Sequence, residues 1–585
     1  MKLLSLRANQ PSFHPVVFNK NGVSIIVGKQ VAPHNENDGN TYNGVGKSMT
    51  LHLVHFCLGS NKIDSFSQKL SGWEFTLKFE INGAEYYSSR KTDDQSKINF
   101  NGEQMTVAAL RNKLLDLCFG LTNPPKYMTW TTLFSRYARR YRSCYSTFDS
   151  FVPKESDYSK VLNNCYLLGM ETDLIISKKE LRDKQSAASA TEKAIKKDPL
   201  FRQYYLGKHD AELDVADLEY RIKELEKEIS AFKVSNNYHE LEKEADDKSY
   251  QKKALENKRI LVSSYIKNIE EAFRETAEVK EEKLLRVYKA AGVEIPSMVK
   301  KDIEDVLKFH NNLIISRNIR LRKELNKQRA ELKSIDDEIF NLGQRMDELL
   351  NYLNSHGALE EYVVLTKQLS SLQSELNRIQ EYQKILKTYR DTELDIKATL
   401  IFEDKETDKY LVQESQWLSD LREKYGYYAK KFYPKKRSGL VIRNNSGENM
   451  LRYTLDARIE DDSSDGVNEV RIFCFDLLLL LCQKSNLQFI FHDSRLFANM
   501  DPRQREMLFR IVNETCEQND FQYICSINED ALLSVQPFMT PEEFEHNITD
   551  NIILELKDDA PESKLLGKQI DINLEDRGKY SEEIN

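Results

Sequence analysis

From about residue 171 to residue 400 glycine becomes rare, and Glu, Lys and Leu take over. Within this stretch Ala211, Val215, Leu218, Ile222, Leu225, Ile229 and Phe232 are spaced alternately four and three apart. Leu332, Ile335, Ile339, Leu342, Met346, Leu349 and Leu353 repeat the pattern, and Leu365, Leu369, Leu372, Leu376 and Ile379 continue it. Apolar seams this narrow, with charge on the other faces, predict a coiled coil, where a globular bundle would need broader apolar faces. Ala291-Gly-Val-Glu-Ile-Pro296 is the clearest break and divides the region into two arms. An antiparallel hairpin turning there would have arms of ~150 Å at about 1.5 Å per residue. Pro199, Asn236-Asn237 and His356-Gly357 are expected to bend or interrupt an arm. The expected organisation is an N-terminal lobe at 1–170, the helical insertion at 171–435, a C-terminal lobe at 436–557 and an acidic tail or edge strand at 558–585.

Both flanks read as mixed α/β. In the first, Leu3 to Leu6, Val16 to Phe18 and Val23 to Val27 are strand candidates, and Trp73 to Ile81 alternates with period two before an Asn82-Gly83 turn and a return at Glu85 to Arg90. In the second, Gly439 to Arg443, Met450 to Ile459, Leu487 to Asp493 and Phe521 to Asn528 read as strands. Val470 to Cys482 and Arg503 to Gln518 read as helices. One further strand is expected at Gln569 to Leu574.

The chemistry starts at Asn43-Gly-Val-Gly-Lys-Ser-Met49, which follows the strand at 23–27 and opens an apolar helix. Strand, glycine loop and helix N-terminus is the context of a phosphate loop. Gly44 and Gly46 let backbone amides approach an anion, Lys47 reaches β- and γ-phosphates, and the Ser48 hydroxyl holds Mg²⁺. Thr41 stands where the first glycine of G-x-x-x-x-G-K-S belongs, and Gly28 to Gly39 is an unusual insertion before the loop. The alternative is an ordinary glycine turn before a helix. Asp493 ends an apolar strand, as the Mg²⁺ carboxylate of an ATP-hydrolysing fold does. Ser464-Asp-Gly466 opens a helix and suits a second phosphate contact, which would serve the nucleotide of another subunit. Arg136, Arg139 and Arg140 lie among aromatic residues between Pro125 and Tyr145. That interleaving fits phosphate or nucleic-acid contact, and equally an amphipathic helix with aromatic core contacts and solvated arginines.

Composition narrows the classes. A net charge of −8 means that any nucleic-acid contact has to be a local patch. A mean hydropathy of −0.60 fits long solvated helices. No run approaches a membrane span, and the polar N-terminus does not read as a signal peptide. The eight cysteines form no C-x-x-C pair, so reduced buried thiols in a cytoplasmic protein are expected rather than a metal site.

Phosphate loop, coiled-coil insertion, serine-glycine signature, strand aspartate and downstream aspartate, in that order, resemble the layout of SMC-like and RecN-like ABC ATPases. The resemblance covers most of the chain. It rests on Asn43, Gly44, Gly46, Lys47 and Ser48, on Ser464 and Gly466, on Asp493, and on Asp501 as the aspartate of the loop that crosses the dimer. It is strongest with a bacterial subgroup of small coiled-coil ATPases often encoded in phage-defence systems. What it implies is an α/β head of ABC type, ATP and Mg²⁺ as cofactors, and a homodimer formed through the heads. It further implies double-stranded DNA and an effector such as a nuclease as partners. Asn43 to Met49, Ser464, Gly466 and Asp501 would contact nucleotide, Ser48 and Asp493 the metal, and Lys47, Asp493 and Asn528 would be catalytic. The chain departs from the pattern in three places. Ser494 stands where the family has its catalytic glutamate, and Asn528 where it has a switch histidine. The glutamine loop has no match, the segment from Thr129 to Arg136 being its expected place. The resemblance therefore implies slow or partner-dependent hydrolysis, or a nucleotide-gated scaffold with little turnover. A zinc hook at the hairpin tip is excluded by the missing C-x-x-C.

Overall fold

The computed structural model describes residues 1–30, 44–206, 213–231, 236–274, 297–353, 359–460, 465–570 and 572. The chain is mixed α/β with much helix, and it divides into two compact units. The first is made of residues 1–190 and 390–585, the second of residues 191–389.

Among the described residues, three sheets build the first unit. A six-stranded antiparallel sheet contains β1 (Lys2–Ala8), β2 (Val16–Val17), β4 (Glu74–Ile81), β5 (Ala84–Lys91), β6 (Lys97–Phe100) and β7 (Glu103–Thr106). On β4 the alternation puts Phe75, Leu77, Phe79 and Ile81 into the core. Ile81 pairs with Ala84, so Asn82 and Gly83 form the two-residue turn of the expected hairpin. The sequence reading missed the second hairpin, β6 to β7, although Asn101-Gly102 marks its turn in the same way.

A four-stranded sheet is parallel throughout, in the order β10 (Phe489–His492), β11 (Gln522–Asn528), β3 (Gly22–Lys29), β12 (Ile552–Lys557). β3, from the start of the chain, thus lies between two strands from its end. β3, β10 and β11 are buried along nearly their whole length, as parallel strands covered on both faces are. Helix α1 (Lys47–Cys57) packs between this sheet and the antiparallel one. A two-stranded sheet, β8 (Ser438–Asn444) with β9 (Tyr453–Ile459), packs on the helix Ser415–Phe432.

The second unit is helical. The helix Asn236–Arg274 packs along the helix Ser297–Leu353 through Val262, Ile266 and Ile269 against Leu325 and Ile335. Ion pairs Lys258–Glu331 and Arg329–Glu270 flank this seam, and their numbers run in opposite senses, so the two helices are antiparallel. Leu206, Leu218, Ile379 and Tyr382 form a second cluster. The helix Asp173–Lys197 stops before Pro199, which begins the next one. The expected turn at 291–296, the expected break at His356-Gly357, and Ala211 and Phe232 lie outside the described residues. The helices Asp214–Ala231 and Leu359–Gln413 carry the other described heptad stretches.

The strand expected at Gln569 to Leu574 is not formed among its described residues. Nor is the end of the chain a solvated tail up to residue 567, because Leu565 and Leu566 are buried in the main core. β12 was missed in the sequence.

Candidate phosphate site at the parallel sheet edge

All four parallel strands end at one edge, and the residues after them are Gln30, Asp493, Glu529 and Asp558. In open parallel sheets ligands bind outside the carboxyl ends of the strands, where helices begin with unpaired amides. α1 begins there. Its N-cap is Gly46 in the left-handed region at φ 105°, a conformation that a Cβ would strain. Lys47 is buried and folds back over β3, so that a side chain at Gly28 would collide with its ammonium group. Burial lowers the Lys47 pKa to about 8, against the opposing pull of Asp493, Asp530 and Asp558.

Ser48 and Asp493, far apart in sequence, meet here. The Ser48 hydroxyl donates to Asp493 Oδ1 at 2.7 Å, and Ser526 Oγ, from β11, donates to the same oxygen at 2.8 Å. The Asp493 N–H donates to Tyr145 Oη at 2.9 Å, and that hydroxyl donates to the Arg139 carbonyl at 3.1 Å. Burial raises the Tyr145 pKa well above its ordinary value, which keeps it a phenol. The other carboxylate oxygen, Oδ2, is buried and accepts no hydrogen bond among the described residues, with the Arg495 guanidinium 3.6 Å away. A buried carboxylate oxygen without a hydrogen-bond donor fits a cation or its water. Among the described residues no three His, Cys, Asp or Glu side chains converge on a metal position. Mg²⁺ at Ser48 and Asp493 would therefore take its remaining ligands from phosphate oxygens and water, as this ion commonly does. The residues fit the pair of cofactors.

The remaining predicted residues divide. Val45 and Met49 are buried beside Gly44 and Gly46 at the turn and in the first turn of α1. Asn528 ends β11 and stands at the N-cap position of the short helix that follows, without a side-chain capping bond among the described residues. Gly466 backs onto the Asn499 carbonyl so closely that a Cβ would lie 2.9 Å from it. Asp501, two residues on, caps the helix Pro502–Gln518 by accepting the Gln504 N–H at 2.8 Å. Gly466 and the Asn499–Asp501 loop thus share one corner. Asn43 and Ser464 lie outside the described residues.

The three arginines correct the sequence reading. Arg136 is fully buried and donates to Asn164 Oδ1 and the Thr132 carbonyl, both at 2.6 Å, and to Glu155 at 3.1 Å. Arg139 is fully buried and pairs bidentately with Asp476, at 2.6 Å through each nitrogen. It also donates to the carbonyls of Cys144, Phe148 and Ser150. Arg140 is buried as well, its guanidinium over the Tyr141 ring. Arg136 and Arg139 are fully buried and direct these hydrogen bonds to internal carbonyl and carboxylate oxygens, out of reach of a nucleic acid. The aromatic residues around them are core. Ala138 bridges to Phe491 in parallel, so this segment runs beside β10 as an extra rung of the sheet.

His492 also has a structural task, between Asp476 Oδ2 at 3.0 Å and Tyr523 Oη at 3.1 Å. Burial lowers its pKa. Arg495, beside Asp493, and Ser526 were missed. Their only sequence signal is closeness to the ends of β10 and β11.

The architecture and the site define a parallel-sheet crevice with a glycine turn, a lysine and a serine–aspartate pair. Sequence comparison with a family described as "Uncharacterised protein conserved in bacteria (DUF2326)" matches residues 428–570. Comparison with curated proteins gives no match. Among solved structures, the chain is similar to the Smc head domain with a coiled coil and joint from Pyrococcus yayanosii, at 15% identity and a TM-score of 0.36, over 91% of this chain and 93% of that one. It is also similar to the Smc head with an extended coiled coil bound to the C-terminal domain of ScpA from Pyrococcus furiosus, at 12% identity and a TM-score of 0.30, over 91% of each chain. A third is the SmcHead bound to the C-winged helix domain of ScpA, at 9% identity and a TM-score of 0.32, over 92% of each. These scores are low, and the chemistry of the site rests on its own residues. No helix among the described residues is long and apolar enough to cross a membrane.

Proposed function

We propose that the crevice binds ATP with Mg²⁺ and that the chain is an SMC-like ABC ATPase with slow or partner-dependent hydrolysis. The single observation that supports this most is the meeting of Ser48 with Asp493, one oxygen of which is buried and without a hydrogen bond among the described residues, beside the buried Lys47. In this reading the amides of the glycine turn and Lys47 hold the phosphates, and Ser48 and Asp493 hold the metal. Bound Mg²⁺ supplies Lewis-acid polarisation of the phosphoryl group. Two heads pair on two nucleotides, Ser464, Gly466 and Asp501 of one facing the phosphate turn of the other. The closed and open pairs bind double-stranded DNA or an effector protein differently, and that difference makes a switch. By the resemblance, the setting is a bacterial defence or repair system.

A second reading has its own observation. Ser494, directly after Asp493, cannot act as a general base, and its N–H is engaged with Ser526 Oγ at 3.2 Å. Asn528 cannot carry a proton either. In that reading ATP binding alone assembles a complex.

Turnover by the purified protein, with and without double-stranded DNA, separates the two. ATPase activity that vanishes in Lys47→Ala and in Asp493→Asn is the expected result. Mg-ATP binding without turnover would favour the scaffold, and no Mg-ATP binding would reject both.

A further inference from the structure

The segment from Ala560 to Gly567 belongs to none of the site described above, yet it is fastened to it. The Leu565 N–H donates to the Val45 carbonyl at 3.0 Å, inside the glycine turn. The Leu565 carbonyl accepts from the His14 N–H at 2.9 Å, and the Leu566 carbonyl accepts from Ser12 Oγ at 2.9 Å. The Leu565 side chain is fully buried and lies on Gly46, where an added Cβ would stand 2.5 Å from its own. Gly567 adopts φ 61° and lies so close to the Ser12 carbonyl that no side chain fits between them. The segment is a strap, pinned to residues 12–14 on one side and to the glycine turn on the other.

The consequence lies in one peptide group. Val45 C=O and Gly46 N–H belong to the same peptide unit, and no peptide bond here is cis. In a trans peptide the two groups point in opposite directions. A Val45 carbonyl held by the strap therefore turns the Gly46 N–H to the opposite side, away from Leu565. Were this peptide to turn over, a carbonyl dipole would face the anion in place of an amide. We propose that the strap is a positioning element for the phosphate site, and that the Leu565 main-chain N–H sets the Val45–Gly46 peptide so that the Gly46 amide faces phosphate oxygens. This rests on the nucleotide reading above. Leu565 itself touches no ligand.

The test uses the full chain and Mg-ATP, with affinity, thermal midpoint and amide exchange across Gly44 to Lys47 all measured. Leu565→Ala removes the side chain but keeps the N–H, so its midpoint falls while its Mg-ATP affinity stays within about twofold of the parent protein. Leu565→Pro removes the N–H as well, and its affinity falls roughly tenfold, the effect of one oriented hydrogen bond. Exchange across the turn rises in the nucleotide-free Leu565→Pro protein, and Leu565→Met matches the parent in every measurement. Should Leu565→Pro fail to fold, Gly567→Ala lifts the strap from Ser12 and is expected to weaken Mg-ATP binding and speed exchange at the turn. Unchanged affinity and exchange in Leu565→Pro, or in Gly567→Ala where that variant has to stand in, overturns the proposal. If the parent protein itself binds no Mg-ATP, the nucleotide reading falls and this inference with it.

Discussion

Lys47 is the residue whose charge state the fold most clearly controls at the site. Burial brings its pKa down from 10.5 to about 8. Between those values the unfolded chain holds a proton that the folded chain has lost, so this lysine's contribution to stability rises with pH across the window and is lost as pH falls through about 8. Phosphate binding runs the other way, because it needs the ammonium ion. Mg-ATP affinity is therefore expected to be level below pH 8 and to weaken above it, by a slope approaching tenfold per pH unit. In Lys47→Ala that slope should vanish. A parent protein whose affinity is level from pH 7 to pH 10 would refute the assignment of Lys47 to the phosphates. The arginine that the sequence offered to nucleic acid has a different consequence. Arg139→Ala leaves the carboxylate of Asp476 buried with His492 as its remaining side-chain partner among the described residues, and breaking a buried pair in this way costs about 3–5 kcal/mol. A large fall in the urea midpoint is expected, with no change in the salt dependence of any DNA binding. A midpoint equal to that of the parent protein would show that the pair is not what holds this segment.

At the scale of elements, what could be read from the sequence was what is local. The hairpin at Asn82-Gly83, β3, β10, β11, α1 and the helix Pro502–Gln518 all announce themselves by period, by turn chemistry or by a capping residue. The heptad spacing likewise foretold helices whose seam residues Leu218, Ile222, Ile335, Leu349 and Ile379 are buried. What failed was what depends on partners far away in sequence. The arginine–aromatic stretch looks the same whether its guanidinium groups meet water, phosphate or a carboxylate, and only the position of Asp476 decides it. β12 is a short run whose strand character comes from lying beside β3. The strap has no periodicity at all, because it is held by main-chain bonds to Val45 and His14 and by two leucines. Composition marked residues 558–585 as acidic and polar, and so hid the apolar pair within them. For the site, Lys47, Ser48 and Asp493 were legible as motif and strand end. Ser526, Arg495 and Tyr145 were not, because nothing local distinguishes them.

For the whole molecule, the decisive fact is that β3 is flanked by β11 and β12. The first unit cannot be assembled from either end of the chain alone. Residues 1–190 expressed by themselves should be poorly soluble, with the buried face and both ladder edges of β3 open to other chains. Co-expressed with residues 390–585 they should be recovered as a stable pair, in which Ser48 and Asp493 again share a site. Residues 1–190 that unfold cooperatively on their own would contradict this. The same placement sets a timetable in the cell. β3 leaves the ribosome early, and β11 follows roughly 500 residues later. At the usual pace of synthesis that is about 25 to 100 seconds. Throughout that interval a strand destined for almost complete burial lacks both of its strand neighbours, and the intervening helices emerge before it can find them. Newborn chains of this protein should therefore depend on chaperones that shield β3, and a chain released early by a stop codon anywhere before β11 should be degraded rather than retained as a partly working fragment.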